Sequence, residues 1–284
     1  MLRTFVRLHP FFFYIFTCMI SRWPILLLIS FGCNAQTYLG PRYQAMGHTG
    51  AALQGIYSLT ANPAGLAGMD RPMATITHQY HFLTTDIATQ QAMLGLPTRL
   101  GTFGVAASRY GIQQGYQELR GGFTLAKRFG PQFSVGLSTV FHQLFIPYYL
   151  TNRSFSVDLG VQYALEQGTA VGFQYTNIGS ARYGQDIYGT IPAYAIFGIS
   201  HPMGEVRLSA DAAYRSEEEV LSGHLGLEYQ IGTVLCLRGG LSVNPVLQHA
   251  GFGIVWRHFV FDAAATFHPR LGTSPQIGVC YAFR

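Results

Sequence analysis

Arg207 and Asp211, then His224 and Glu228, then Arg238 fall in three successive stretches whose other residues are mostly apolar or small. Residues four apart stand on one face of a strand, so each pair shares a face. If Glu217-Glu218 form the tip of a hairpin, Arg207 comes opposite Glu228 and Asp211 opposite His224. Directly opposed pairs of opposite charge contribute about 0.2–1 kcal/mol each. Arg238 on the following strand extends them into a ladder. Such a ladder offers charge pairing, as a polar path or as a contact for another part of the chain. The plainer role, and the favoured one, is neutralisation of charges that an apolar exterior shuts out.

Other chemistries find little support. The 10 His are scattered, and His78 and His81 lie on opposite faces of one strand, so no metal site is expected. Of the 4 Cys, Cys18 and Cys33 lie in the leader, and Cys236 and Cys280 stand singly in strand-like runs. Two buried free thiols are favoured there over a disulfide, and no Cys-x-x-Cys spacing suggests zinc. The Gly-rich runs "RGGF" and "RGGLS" sit within strands, with no phosphate loop, no Gly-x-Ser-x-Gly elbow and no outstanding Ser/His/Asp set. The expectation is a protein that is not an enzyme and needs no cofactor.

The elements that carry these residues follow from composition and periodicity. The 284 residues are 49% hydrophobic and 11% charged, with 33 Gly, 17 Tyr and 21 Phe and a mean hydropathy of +0.20. Soluble domains carry about 25% charged residues. After residue 31 no apolar run of about 20 residues, the length of a spanning helix, occurs. An apolar chain without spanning helices and rich in Gly and aromatics points to a transmembrane β-barrel. The net charge of +5 is scattered along the chain, which argues against nucleic acid and leaves a weak pull toward anionic lipid or polysaccharide.

From Pro72 onward the pattern has period two. Phe133, Val135, Leu137, Thr139 and Phe141 alternate with Gln132, Ser134, Gly136 and Ser138, and the same holds over 154–163, 205–214 and 221–230. Such segments number about 14, each about nine to eleven residues long, as a tilted membrane strand requires. They fall near 72–82, 89–96, 101–110, 119–128, 132–142, 153–164, 168–176, 192–201, 205–214, 220–230, 233–241, 248–257, 259–267 and 275–283. Even-numbered connections look short and odd-numbered ones long, including 111–118, 143–152 and 177–191. Short periplasmic turns and long outer loops mark an outer-membrane barrel. A secreted β-sandwich, the competing reading, would not sort its loops by parity. Ile277, Val279, Tyr281 and Phe283 alternate in the last strand, with Arg284 after them. Tyr80, Phe103, Tyr110, Phe129, Tyr163, Tyr175, Tyr194, Tyr214, Tyr229 and Trp256 read as interfacial girdles. The apolar outer stretch "LFIPYYL" (144–150) is either a partner or ligand surface, or it folds inward or into the headgroups.

Residues 1–35 read as a secretory signal. Arg3 and Arg7 precede apolar runs split by Arg22-Trp23-Pro24, and Cys33 and Ala35 set cleavage after Ala35. A start at Met19 would give a more ordinary leader. An anchor helix or an acylated Cys33 fits less well. Between this leader and the first strand lie residues 36–71, small, apolar and poor in β-branched residues. They are expected to plug the barrel as a hatch, partly helical over about 48–58 and turning at Asn62-Pro63, since wide barrels leave a lumen unless filled.

This stretch carries a resemblance. Arg42, Ala45, Met46, Gly47, Gly50 and Ala51, followed by Asn62-Pro63-Ala64-Gly65-Leu66-Ala67, resemble the amino-terminal signature of FadL-like outer-membrane barrels, nearest to the PorV/PorQ branch of Bacteroidetes. The resemblance covers only these residues. It implies a 14-stranded barrel with an amino-terminal hatch and makes Arg42, Gly47, Gly50, Asn62, Pro63, Ala64 and Gly65 hatch residues. It further implies an accessory or cargo-handling role in type IX protein secretion, with other secretion proteins or secreted cargo as partners besides membrane lipid. The alternative it leaves is passive transport of hydrophobic small molecules. The modest outer loops favour the secretion branch.

Overall fold

The computed structural model describes residues 39–112, 115–184 and 190–284; the expected signal segment and its cleavage site lie outside them. Period-two sequence becomes β1 (Met73–Tyr80), β2 (Ile87–Pro97), β3 (Thr102–Ile112), β4 (Gln117–Phe129), β5 (Phe133–Ile146), β6 (Leu150–Ala164) and β7 (Ala170–Tyr175). The second half gives β8 (Tyr194–Met203), β9 (Val206–Arg215), β10 (Val220–Ile231), β11 (Leu235–Val243), β12 (Leu247–Trp256), β13 (Phe259–His268) and β14 (Gly272–Ala282). Each strand pairs antiparallel with its neighbours in sequence, and β1 closes on β14 from Met73↔Ala282 to Gln79↔Gln276. Closure gives every strand a partner on both sides, the condition for crossing lipid with strands, although β6 meets the short β7 only from Leu159 to Ala164.

The side chains alternate as the pattern demands. Leu125, Leu137, Phe155, Phe197, Leu225 and Ile277 are exposed on the outside, while Thr124, Ser138, Ser156, Ser200, Glu228 and Gln276 on the same strands are buried inside. Two of the expected girdle residues belong to the inner set. Tyr110 stacks edge-on with the buried His81, 5.4 Å between ring centroids, and Tyr194 lies under the Arg215 guanidinium at 5.2 Å. Their place near a strand end does not fix their face; parity with Thr102 and Ser200 does.

The connections differ from expectation in kind. On the side of the termini the turns span two to five residues. On the other side the expected long loops are mostly paired strand: β5 runs to Ile146 and β6 restarts at Leu150, so "LFIPYYL" is a hairpin end turning at 147–149. Within it Leu144 is buried, while Tyr148 and Tyr149 are fully exposed. Continuing the ladder satisfies backbone groups that a loop would leave to water.

One long connection remains, 176–193, and of its described residues Tyr183 and Ile191 bury against Leu144. Asn177 pins it. Its side chain donates to the carbonyls of Ala181 (3.1 Å) and Ile191 (2.6 Å) and accepts from Ala181 N (2.9 Å). Asn177→Ala leaves the buried Ile191 carbonyl and the part-buried Ala181 groups unpaired, at a cost of about 1–3 kcal/mol. The connection is therefore expected to be cut faster by protease while the folded barrel still migrates as wild type on an unheated gel.

The amino-terminal segment is less helical than its composition suggests. One short α-helix, α1, spans Pro41–Ala45, and 3-10 turns cover Ile56–Thr60 and Pro63–Gly68. No α-helix forms over 48–58, and only the 3-10 turn that starts at Ile56 enters that range. Gly47 (φ +70°) and His48 (φ +67°) take the left-handed region directly after α1 and end the helix there. The chain does turn at Asn62-Pro63, and Pro63 opens a 3-10 turn: Asn62 Oδ1 accepts from Ala64 N at 3.0 Å, and Pro at the first position lacks an N–H that would be unpaired there anyway.

Candidate functional site

The segment meets the wall along two contrasting seams. The first is apolar. Leu39, Tyr43, Met46, Leu53, Ile56, Leu66 and Met69 bury against Met93 of β2, Ala126 of β4 and Cys280 of β14, with Met73, Ala106 and Val260 beside them. Methionine is unbranched and polarisable and fits irregular gaps, as Met46, Met69 and Met93 do in this seam.

The second seam is polar and directional. Arg42 forms a two-pronged pair with Glu228, Nε to Oε2 at 2.8 Å and Nη2 to Oε1 at 2.7 Å. Glu228 also accepts from Arg238 Nε at 2.9 Å, and Arg238 Nη1 donates to Asp262 Oδ1 at 2.6 Å. Tyr57 O–H returns to the segment by donating to Asp262 Oδ2 at 3.0 Å. Burial alone would lower the Arg42 guanidinium, but the Glu228 carboxylate outweighs it and keeps Arg42 firmly protonated. Burial, with Asp262 adding to it, pushes the Tyr57 phenol well up and keeps it a donor. Each of the two carboxylates thus holds one group of the segment and one of the wall.

The expected ladder lies here in a modified form. Arg207 does oppose Glu228, and Asp211 opposes His224. All five residues face inward, but opposition is not where their bonds go. Arg207 stays 4.0 Å from Glu228. Asp211 accepts instead from the backbone N–H of Gly50 (2.8 Å) and Ala51 (2.9 Å), and His224 Nδ1 donates to Gly47 O at 2.8 Å. The cross-strand partners each turned toward the segment, because its backbone groups have no ladder of their own to satisfy them.

The remaining motif residues complete the clamp. Asn62 Nδ2 contacts three carbonyl oxygens, Ala51 (2.7 Å), Val161 (3.0 Å) and Phe173 (3.2 Å). Gln162 Nε2 donates to Ala51 O and Leu53 O, both at 2.9 Å. Gly47, Gly50 and Gly65 lie so close to neighbours that a Cβ would overlap wall or segment atoms, while Pro63 and Ala64 rest on Gly136.

Three features were not read from sequence. Asp262 and Gln162 carry the clamp, and both sat in view on the polar face of period-two segments. The third is a row of inward glycines: a Cβ on Gly136, Gly160, Gly172, Gly226, Gly240 or Gly251 would overlap the segment. One glycine on the polar face of strand after strand was the available signal. Cys236 and Cys280 are both buried and free.

His48 adds a pH dependence. Its ring lies 4.6 Å from that of His249 and 6.2 Å from that of His224. Burial, then these two imidazoles, hold His48 well below its usual 6.5. A depressed histidine stays neutral in the docked segment but takes a proton when the segment is free. Docking is therefore at full strength above pH 6.5 and weakens as pH falls below it. Accessibility of the segment to protease should rise on acidification, and His48→Gln should flatten that rise.

No family model matches the sequence, and neither does any curated protein. Solved structures do resemble the fold. The toluene transporter TbuX of Ralstonia pickettii superposes with a TM-score of 0.65 at 17% identity, covering 87% of this chain and 97% of that one. The toluene transporter TodX of Pseudomonas putida gives 0.67 at 15% identity, over 88% and 98%. The fold is that of the FadL-like outer-membrane barrels. A FadL homologue of Pseudomonas aeruginosa agrees, with a TM-score of 0.66 at 13% identity over 87% and 98%. At such identities the likeness concerns the FadL-like fold, and the apolar exterior of this closed barrel places it in the bacterial outer membrane.

Proposed function

We propose that this FadL-like barrel passes small hydrophobic molecules across the outer membrane, with residues 39–71 as its hatch. The observation that carries this reading is the asymmetry of the two seams. A methionine-rich apolar seam against β2, β4 and β14 offers a route for an apolar solute, and the ionic clamp, which meets that seam at Tyr57 and β13 and runs on to Glu228 of β10, acts as the hinge. The neighbours named as toluene transporters support the same reading at the level of fold. The test is uptake of toluene and of a long-chain fatty acid by cells with and without the gene. Unchanged uptake of both would end the proposal.

A second reading is accessory work in type IX protein secretion. It is favoured by the β5–β6 hairpin, whose tip holds out Tyr148 and Tyr149, 105% and 87% exposed. Paired aromatics at a protruding tip suit a protein contact. Under this reading Tyr148→Ser with Tyr149→Ser lowers the secreted proteins in the culture medium about tenfold, the loss of one strong contact point, and leaves toluene uptake unchanged. Under the first reading the double variant leaves both as they were.

A further inference from the structure

The basic residues that look scattered in sequence gather in space. All even-numbered turns and both strand termini lie at one end of an up-and-down barrel. At that end Arg71, Arg99, Lys127, Arg128, Arg257 and Arg284 are all exposed, Arg128 at the mouth of the lumen because it shares the inner face with Ala126 and the opposed Ser134. Because β1 pairs with β14, they form one continuous arc from the β12–β13 turn, past the ends of β14 and β1, to the β2–β3 and β4–β5 turns. Asp70 is the acidic side chain within the arc. The remaining turns of this end carry Glu166 and Glu205 and no Lys or Arg. Among the described residues none of the six cations forms an ion pair with a carboxylate. The opposite end mixes both signs.

The arc is also aromatic. Arg257 lies 5.5 Å from the Trp256 ring centroid and Lys127 Nζ lies 5.8 Å from that of Phe129. Trp256, Phe259, Phe261 and Tyr281 continue as a chain of ring contacts. Rings of this kind settle at the level of lipid headgroups, and long cationic side chains beside them reach the polar side of that boundary. Unpaired cations at headgroup depth call for headgroup anions.

We infer that this arc is a binding surface for anionic phospholipid headgroups in the leaflet that faces the turns. Its partner chemistry is a phosphodiester carried by a bilayer lipid. The two sides of the rim differ, so the anionic lipid is enriched beside β12–β14 and β1–β5 and not beside β6–β10.

The chain has 2 Trp, Trp23 and Trp256, so Trp23→Phe leaves a single reporter inside the arc. The full chain carrying that change is refolded into phosphatidylcholine vesicles containing a minor share of phosphatidylglycerol. Either one lipid or the other carries brominated acyl chains at matched mole fraction. Brominated phosphatidylglycerol is expected to quench Trp256 about twofold or more beyond brominated phosphatidylcholine. The excess should vanish in about 1 M salt, where the screening length is ~3 Å. Combining Arg71→Gln, Arg257→Gln and Arg284→Gln should also remove it, provided the variant keeps folded mobility on an unheated gel. The salt arm uses the unaltered arc and so does not depend on that variant folding. Equal quenching by the two lipids overturns the inference. So does loss of the excess on adding soluble glycerophosphate, because the arc would then be a site for a free anion.

Discussion

Glu228→Gln will free the amino-terminal segment and make the barrel leakier. Glu228 holds Arg42 in two bonds and Arg238 in one, and Arg207 lies within reach. Glutamine keeps the shape but leaves the cations without their shared countercharge. Removing one partner of a buried pair costs about 3–5 kcal/mol. Here Arg42 is a quarter exposed and Arg207 more than a third exposed, with side-chain values of 25% and 37%, so water recovers part of that. The expected loss is about 2–4 kcal/mol. Two measurements read it: protease cleavage within 39–71, and ion conductance of the protein in a planar bilayer, which should rise above that of the unaltered protein. Arg42→Gln is the informative contrast. It removes the segment's grip but leaves Glu228 paired with Arg238 and Arg238 with Asp262, so the wall should keep its unfolding midpoint while the segment loosens. If Glu228→Gln conducts no more than the unaltered protein and stays protected, the clamp does not hold the segment.

Gly172→Val will expel the segment by volume, with no change of charge. A Cβ at Gly172 would fall on the Ala51 carbonyl. That carbonyl cannot step aside, because Asn62 and Gln162 both donate to it and Asp211 holds the Ala51 N–H. Overpacking against a movable side chain costs about 1–3 kcal/mol. Against backbone held from three directions the cost exceeds that range, and the segment is expected to leave the wall. Gly121 supplies the control, since a Cβ there meets nothing within 4 Å; Gly121→Val should fold, migrate and conduct as wild type. Conductance that does not rise in Gly172→Val would mean the segment can dock without the close approach seen between Ala51 and β7.

The fold was legible because its signal is local. Alternation along a strand records which face meets lipid, and each residue reports its own face. All 14 strands therefore fall where period two places them. Even the hairpin register of Arg207 with Glu228 follows from a four-residue turn. The outer connections were harder to read, because "LFIPYYL" is as apolar as a strand and carries a proline; only pairing with β6 makes it a hairpin end. The segment was misread for a related reason. Its small residues suggest helix, but its conformation is set by carbonyls and N–H groups that the wall must satisfy.

The sequence by itself determined a closed antiparallel wall, apolar outside and polar inside, preceded by a small-residue segment bearing an Asn-Pro-Ala-Gly turn. Tertiary structure alone decided what the polar face does. Which carboxylate meets Arg42, and whether Asp211 answers His224 or the backbone of Gly50 and Ala51, depends on contacts between residues more than 150 positions apart. The same holds for the basic arc, whose members become neighbours only when β1 closes on β14. Face is written in the spacing of adjacent residues; partnership across a lumen is written nowhere until the chain closes.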